Sequence, residues 1–263
     1  MPRELGLAKP WNFLCKCKGK KTFHEIKEEE KYRVDLEETK NFERATGALS
    51  QTPALKIRGL KKIYPDGKLA VDNVSMTMYE GQIFALLGHN GAGKTTVIGM
   101  LTGLLHPTSG SGSVMGFDIF EDQELLRENL GVCPQHNVLF EYLTVREHLE
   151  LYATFKGVPR NQIKKRVDTM IFELELDLIQ NQLASTLSGG QKRKTSTGIA
   201  LIGDSKVIML DEPTSGMDTT TRCKFWQMLK NYKQGRIIIL TTHYMDEADN
   251  LGDRVCIMAE GEV

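Results

Sequence analysis

Residues 88–95, with the sequence GHNGAGKT, are of the types and spacing that bind a chain of phosphate groups. They match the pattern G-x-x-x-x-G-K-[ST] between a predicted strand and a predicted helix, which is the context this pattern needs. The glycines let the loop wrap around phosphates, and the helix N-terminus adds positive potential. Lys94 would reach the terminal phosphates, and Thr95 would ligate Mg²⁺. The spacing and the context together disfavour the alternative, a glycine turn with an incidental Lys-Thr pair.

Two adjacent carboxylates follow the apolar run VIML at residues 207–210. Asp211 ends this predicted strand and could hold Mg²⁺ through its water shell, whereas Glu212 could act as general base toward an attacking water. A lone acidic pair after a strand is usually a solvated turn. A phosphate-binding loop earlier in the same chain favours the catalytic interpretation.

A second glycine motif, LSGGQ at residues 187–191, opens a predicted helix that continues to Ile202. A hydroxyl, two glycine amides and a helix dipole together can bind an anion. Ser-Gly-Gly alone is often a flexible link. Its position between the phosphate loop and the two carboxylates makes the motif specific.

This series of motifs resembles the nucleotide-binding domain of ATP-binding cassette (ABC) proteins, over about residues 54–263. The resemblance implies ATP and Mg²⁺ as cofactors. It implies that Gln135 senses Mg²⁺ and the γ-phosphate, and that His243 contacts the γ-phosphate and positions Glu212. The catalytic residues would therefore be Glu212, His243, Gln135 and Lys94, and the metal-binding residues would be Thr95, Gln135 and Asp211.

The resemblance also assigns residues to nucleotide binding. Tyr64 resembles the aromatic residue that stacks on adenine, although a tyrosine at a strand end is an alternative interpretation, and Asp218 belongs to a loop (SGMD) that crosses a dimer interface. The complete set is Tyr64, Gly88, Asn90, Gly91, Ala92, Gly93, Lys94, Thr95, Thr96, Ser188, Gly189, Gly190, Gln191 and Asp218.

The elements that must position these residues indicate an α/β fold. Residues 54–60 alternate like a half-buried strand, and the apolar runs at 83–87, 207–210 and 237–240 are typical of strands in a covered parallel sheet. A helix is predicted from Lys94 to about Leu104. With the resemblance, the fold class is a P-loop NTPase (RecA-like) with a mostly parallel core sheet, an antiparallel β portion and an α-helical subdomain.

Residues 143–180 are predicted to be mostly helical, within a helical subdomain at about residues 140–202. Candidate packing positions there are Leu149, Tyr152, Phe155, Met170, Phe172 and Leu174. Residues 254–258 are predicted to be a strand that turns back at the last residues. This pattern favours a segment truncated from a longer polypeptide.

The composition is that of a globular domain in a reducing compartment. Among 263 residues, 34 Lys and Arg balance 34 Asp and Glu, which argues against a chain that coats nucleic acid or anionic membrane. No apolar run approaches the roughly 20 residues needed to cross a bilayer, and no signal sequence is evident at the start. Five scattered cysteines suit free thiols.

The segment before the domain, residues 1–53, is interpreted as a polar linker or juxtamembrane segment. Aromatic residues followed by lysines at residues 10–21 suit the membrane interface, where Cys15 and Cys17 could be acylated. An exposed tail is an equally weighted alternative. Residues 25–43 favour a solvated linker over an amphipathic docking helix.

The ABC resemblance implies that two such domains meet head to tail, each ATP held between the phosphate loop of one and the LSGGQ motif of the other. It also implies transmembrane domains that dock near residues 135–142, no nucleic-acid partner, and a location at the cytoplasmic face of a membrane within a multi-pass protein. Several stretches, among them CPQHNVLF and TTHYMDEAD, resemble the A subfamily, which is associated with lipids.

Three other functions remain open from sequence. A soluble ABC ATPase acting on ribosomes or DNA would have two cassettes and no transmembrane segment. A regulatory nucleotide-binding module would have damaged catalytic positions, whereas Glu212 and His243 are present. A kinase or GTPase would not need LSGGQ.

Departures from the family pattern at Thr195, Thr197 and Thr219 affect expected packing and coupling rather than ATP chemistry.

Overall fold

The computed structural model describes residues 53–263, and the predictions for residues 1–52 lie outside the described residues. The strands are β1 (Leu55–Ile63), β2 (Leu69–Met78), β3 (Gln82–Leu87), β4 (Ser109–Val114), β5 (Phe117–Asp118), β6 (Leu130–Cys133), β7 (Val207–Asp211), β8 (Ile237–Thr242) and β9 (Arg254–Ile257). The helices are α1 (Lys94–Leu101), α2 (Gln123–Asn129), α3 (Val145–Phe155), α4 (Arg160–Glu173), α5 (Gly189–Leu201), α6 (Thr219–Tyr232) and α7 (Met245–Leu251).

The core is a parallel sheet with strand order β6-β7-β8-β3-β9. Its central strands β7 and β8 are buried at every position, which is why their sequences are continuous apolar runs rather than alternating ones. A second, antiparallel sheet has the order β2-β1-β4-β5. The predicted fold class, a mostly parallel core with an antiparallel portion near the N-terminal strands, is confirmed.

The helical region between β6 and β7 buries one face of each helix against a shared core. Leu149 and Ala153 of α3, Met170 of α4 and Ala200 of α5 belong to the same apolar cluster as β7 and β8. A capping box begins α3: the Thr144 hydroxyl accepts from the backbone N–H of Glu147, whose side chain accepts from the backbone N–H of Thr144.

Two predicted packing positions are wrong. Phe155 and Phe172 are 70% and 74% exposed, whereas Leu149, Met170 and Leu174 are buried and Tyr152 is partly buried. Phe155 is the last residue of α3, beyond the buried stripe, and the neighbouring Ile171 takes the inward position that Phe172 was expected to fill.

Helix α1 ends at Leu101 instead of about Leu104. The hydroxyl of Thr102 donates to the carbonyl oxygens of Ile98 and Gly99, and Gly103 follows with a φ of 72°, a left-handed conformation that stops a helix. Within residues 53–263, every helix is too short or too polar to cross a bilayer.

Candidate functional site

Four loops meet at the carboxyl edge of the parallel sheet. They follow β3, β6, β7 and β8 and bear the phosphate loop, Gln135, Glu212 and His243 respectively. The register aligns these strand ends, because Leu87 pairs with Thr242 and Asp211 pairs with Thr241. This edge is where ligands bind in open α/β sheets.

The phosphate loop depends on its glycines. Gly91 and Gly93 have φ values of 86° and 104°, a region that side-chain-bearing residues rarely adopt. A Cβ at Gly88 would lie 2.4 Å from the carbonyl oxygen of Met258, so the loop passes directly over the backbone that follows β9. The loop then enters α1 at Lys94, and the start of this helix, which has no side-chain cap, offers backbone N–H groups suited to an anion.

The side chain of Lys94 points back into this loop. The residue is 5% exposed, and its ammonium donates to the carbonyl oxygens of Gly88 at 2.7 Å and His89 at 3.0 Å. Burial lowers the pKa of Lys94 below its usual value, and the nearby carboxylates of Glu212 and Asp211 oppose that shift. A desolvated cation therefore lies close to two acids at the centre of the candidate site.

The two carboxylates at the end of β7 have different surroundings. Asp211 is buried and accepts a short hydrogen bond from the hydroxyl of Thr241 on the adjacent strand. Glu212 has a φ of 51°, an unusual conformation for a residue with a side chain, and its N–H is held by the hydroxyl and carbonyl oxygens of Thr241. Its Oε1 lies 3.3 Å from Nδ1 of His243.

The ring of His243 packs against that of its neighbour Tyr244, with centroids 4.0 Å apart and planes tilted by 38°. The guanidinium of Arg222 lies 4.7 Å from the centroid of the same tyrosine ring. The Tyr244 ring thus contacts both groups, which restricts the orientation of the imidazole beside Glu212. The structure brings together Lys94, Asp211, Glu212 and His243.

Gln135 and Tyr64 lie at the margins of this group. Gln135 is exposed after β6, and its carbonyl oxygen accepts from Arg193 at 3.1 Å. The half-buried Tyr64 is next to the start of α1, since its hydroxyl lies 3.3 Å from that of Thr96. The proximity of Tyr64 to the phosphate loop suits an aromatic residue that contacts the base of a nucleotide.

The LSGGQ segment forms a second group. Ser188 is the N-cap of α5: its hydroxyl accepts from the N–H of Gln191 at 3.3 Å, and the side chain of Gln191 accepts from the N–H of Ser188 at 2.8 Å. Gly190 packs against the loop before α6, where a Cβ would lie 3.0 Å from the Gly216 carbonyl oxygen.

Asp218 caps α6, the helix that follows this loop. Its carboxylate accepts from the N–H of Thr221 at 3.0 Å and from the hydroxyl of Thr221 at 2.6 Å, and these hydrogen bonds hold the pKa of Asp218 below its usual value. The loop of residues 215–218 is therefore anchored at one end by a helix cap and contacts the LSGGQ segment through Gly190.

The departures at Thr195 and Thr197 are accommodated inside α5. Both residues are fully buried, and their hydroxyls donate to the carbonyl oxygens four residues earlier, at 2.9 Å to Gln191 and 3.1 Å to Arg193. No hydroxyl is left unpaired at these two positions, so the helix tolerates them where aliphatic residues were expected.

Two residues at this edge were not identified from sequence. Thr241 contacts both acids at the end of β7, and Arg193 donates to backbone oxygens after β6 and β7. Nothing in one sequence distinguishes Thr241 from any threonine at a strand end. Arg193 lies one turn into a helix whose neighbouring side chains are buried. Its position stands out only when this face of the helix is known to be buried.

Glu247 of α7 is an acid buried beneath the loop that bears His243. It is 1% exposed, and its Oε1 accepts from the indole N–H of Trp226 at 3.2 Å. Desolvation raises the pKa of Glu247, while the hydroxyls of Thr242 and Thr214 and the indole lower it by smaller amounts.

The sequence model of a family described as "ABC transporter" matches residues 71–215, more than half of the chain. The chain is 47% identical over 231 residues to ATP-binding cassette sub-family A member 2 of Rattus norvegicus, covering 86% of this chain and 10% of that protein. It is 44% identical over 269 residues to the phospholipid-transporting ATPase ABCA3 of Homo sapiens, covering 100% of this chain and 16% of that protein. The chain thus spans a small part of the curated relatives it matches.

Among solved structures, the fold matches a post-hydrolysis dimer of an ATP-binding cassette bound to ADP and phosphate. The TM-score is 0.73 at 28% identity, covering 80% of this chain and 96% of that chain. Fold and sequence comparisons therefore agree with the motif series at the carboxyl edge of the sheet.

Proposed function

The chain belongs to the ABC transporter family, and from that premise we propose that residues 54–263 bind ATP and hydrolyse it to drive transport. The observation that supports this most directly is the convergence of Lys94, Asp211, Glu212 and His243 at one sheet edge. A cation, two acids and a histidine from three separate loops are what phosphoryl transfer to water requires.

Each of these side chains has a distinct role in the proposed reaction. The ammonium of Lys94 and the backbone N–H groups of the phosphate loop hold the terminal phosphates and stabilise the charge on them. Glu212 accepts the proton of the attacking water as general base. With its proton on Nδ1, His243 donates to Oε1 of Glu212 and keeps that carboxylate aimed at the water.

The residues proposed for Mg²⁺ offer oxygen ligands, which this cation prefers. Thr95 is exposed at the start of α1, and one oxygen of Asp211 is already fixed by the Thr241 hydroxyl. In the part of the chain that the structure describes, His, Cys, Asp and Glu form no cluster of three suited to a metal. Mg²⁺ would thus bind through Thr95, Asp211 and Gln135 together with the nucleotide phosphates, and would neutralise charge on the phosphates.

We propose that the second group, Ser188 to Gln191 with Asp218, completes the ATP site of another nucleotide-binding domain, either a second copy or a homologous one. The start of α5 presents a hydroxyl and helix N–H groups, which are suited to an anion. The dimeric form of the matched solved cassette supports this arrangement.

A hydrophobic surface follows Gln135 and supports docking to transmembrane domains. Val138, Phe140 and Tyr142 are 68%, 54% and 85% exposed, an unusual grouping for a surface facing water only. The segment is nevertheless fixed, because the N–H of Phe140 donates to Nε2 of the buried His148 at 2.9 Å. We propose that the whole protein lies in a membrane, with this domain at its cytoplasmic face.

We propose phospholipid as the class of transported substrate, since the relative ABCA3 is described as a phospholipid-transporting ATPase. The test is ATP hydrolysis by the full-length protein reconstituted in liposomes with and without phospholipids of defined headgroup. Stimulation by one headgroup supports the substrate class, and a rate independent of lipid composition contradicts it.

The proposed hydrolysis itself is tested by phosphate release from ATP by this chain, with Mg²⁺ and with EDTA. A regulatory nucleotide-binding module would bind ATP without Mg²⁺-dependent turnover, and that result would overturn the assignment. The intact constellation of Glu212 and His243 favours turnover.

A further inference from the structure

Arg193 is the largest cation in the interior of the domain and belongs to none of the motifs above. It lies on α5, five positions after Ser188, and is 2% exposed. None of the ion pairs among residues 53–263 includes it. A buried guanidinium is stable only when its N–H groups are satisfied, so its hydrogen bonds show what it does.

The guanidinium donates to backbone oxygens of two catalytic loops. Its Nη1 donates to the carbonyl oxygens of Pro134 at 2.5 Å and Gln135 at 3.1 Å, and to Oδ1 of Asn137 at 3.3 Å. Its Nε donates to the carbonyl oxygen of Glu212 at 3.1 Å, and its Nη2 makes a short hydrogen bond to that of Asp211. One side chain therefore joins α5 to the loops after β6 and β7.

The contacts at Glu212 bear on its unusual backbone. A φ of 51° is unfavourable for a residue with a side chain and persists only where the surroundings impose it. Arg193 binds the carbonyl oxygens on both sides of that φ angle, those of Asp211 and Glu212, while Thr241 binds the intervening N–H. These contacts fix the direction in which the Glu212 side chain leaves the backbone, toward His243.

We propose that Arg193 is a positioning residue for hydrolysis. Its guanidinium holds the backbone of Glu212 and of the Gln135 loop at a fixed position relative to the helix that begins at Ser188. The proposal rests on the proposed function, because it assigns Arg193 to the same reaction. Lysine cannot replace it fully, since a single ammonium has no planar fork with which to reach both loops at once.

The experiment compares Arg193→Lys and Arg193→Gln with the unchanged chain. ATP affinity is measured by calorimetry, hydrolysis by single-turnover phosphate release, and stability by thermal unfolding. We expect Arg193→Gln to lower the hydrolysis rate by about 10–100-fold, the effect of misplacing a catalytic group by about 1 Å. We expect ATP affinity to change by less than about threefold, and Arg193→Lys to give an intermediate rate.

The matched control is Lys194→Gln, which removes a positive charge from the next position of the same helix. Lys194 contacts Glu175 at 3.5 Å, so we expect a rate within about twofold of the unchanged chain. If Arg193→Gln fails to fold, Arg193→Lys retains the charge and still tests whether the planar guanidinium is required. A Lys variant with the unchanged rate would overturn the proposal.

A double-mutant cycle separates positioning from general support of the fold. If Arg193 acts through Glu212, then Arg193→Lys lowers the residual rate of the Glu212→Gln chain by much less than it lowers that of the unchanged chain. The proposal would be overturned if Arg193→Lys lowered the rate by the same factor in the Glu212→Gln chain and in the unchanged chain. A loss of ATP affinity equal to the loss of rate would also overturn it. Failure of the proposed function gives a different result, because the unchanged chain would then show no Mg²⁺-dependent hydrolysis.

Discussion

Nδ1 of His243 lies 3.3 Å from Oε1 of Glu212, although the two residues are 31 positions apart and follow different strands. Their proximity results from the parallel pairing of β7 with β8, which places Asp211 opposite Thr241 and so brings the loops after the two strands together. At this distance the imidazole can donate a hydrogen bond to the carboxylate. That arrangement suits an acid that must remain aimed at a water molecule.

Glu212→Gln tests the general base. The amide has nearly the same shape but cannot accept the proton of the attacking water, so we expect ATP to bind and hydrolysis to fall by about 10²–10⁴-fold. Phosphate release measures the rate. The matched control is Glu128→Gln, an exposed acid on α2, which should leave the rate unchanged. Unchanged turnover in Glu212→Gln would exclude this residue as the base.

Lys94→Ala tests the phosphate loop. Removing the ammonium deletes charge-assisted hydrogen bonds worth about 1.5–3 kcal/mol each, so we expect ATP affinity to fall at least about tenfold. Isothermal calorimetry measures the affinity, and Lys230→Ala, an exposed lysine on α6, serves as the control. Normal ATP binding by the Lys94→Ala chain would disprove the loop assignment.

Three of the five strands of the parallel sheet could be predicted because they are continuous apolar runs. The runs at 83–87, 207–210 and 237–240 lie within β3, β7 and β8, each of which is slightly longer than its run. The helical region was harder, because exposed aromatic residues such as Phe155 and Phe172 follow the same spacing as buried ones. Which side of a helix faces the core depends on its neighbours, and a single sequence does not contain that information.

Glu247→Gln tests the buried acid beneath the His243 loop. Burial raises the folded-state pKa of Glu247 above its ordinary value of 4.5, so the folded protein binds this proton more tightly than the unfolded chain. The free energy of unfolding therefore falls as pH rises from 4.5 through the raised pKa.

The glutamine variant lacks this titration. We expect it to be more stable than the unchanged chain at neutral pH, with an advantage that shrinks as the pH falls toward 4.5. Urea unfolding from pH 4 to pH 8 measures the difference, with Glu128→Gln as the exposed control. An advantage for Glu247→Gln that is the same at every pH would show that the carboxyl does not titrate differently in the folded state.

The candidate site was predictable as far as its side chains belong to motifs with fixed spacing. The motifs around them identify Lys94, Asp211 and Glu212, whereas His243 and Gln135 were identified through the family resemblance. Arg193 and Thr241 act on backbone atoms of other loops, and such contacts are set by packing between elements far apart in sequence. For the same reason the left-handed backbone of Glu212 was not foreseen.

The claim that an ATP site is completed by Ser188 of a second domain predicts a change in oligomeric state. The most direct measurement is size-exclusion chromatography with light scattering on the Glu212→Gln chain, with and without Mg-ATP. We expect a dimer only with Mg-ATP. We expect Ser188→Arg to abolish this dimer, because the bulky arginine side chain would fill the space at the start of α5.

A matched control separates the interface from helix capping, since Ser188 also caps α5. Thr144→Arg removes an equivalent capping box from α3 at a similar cost of about 1 kcal/mol and should leave the dimer intact. A dimer that forms with Mg-ATP and is lost in Ser188→Arg alone is the predicted result. A Glu212→Gln chain that binds Mg-ATP yet stays monomeric, or a dimer that survives Ser188→Arg, would contradict a composite site formed by two copies of this chain.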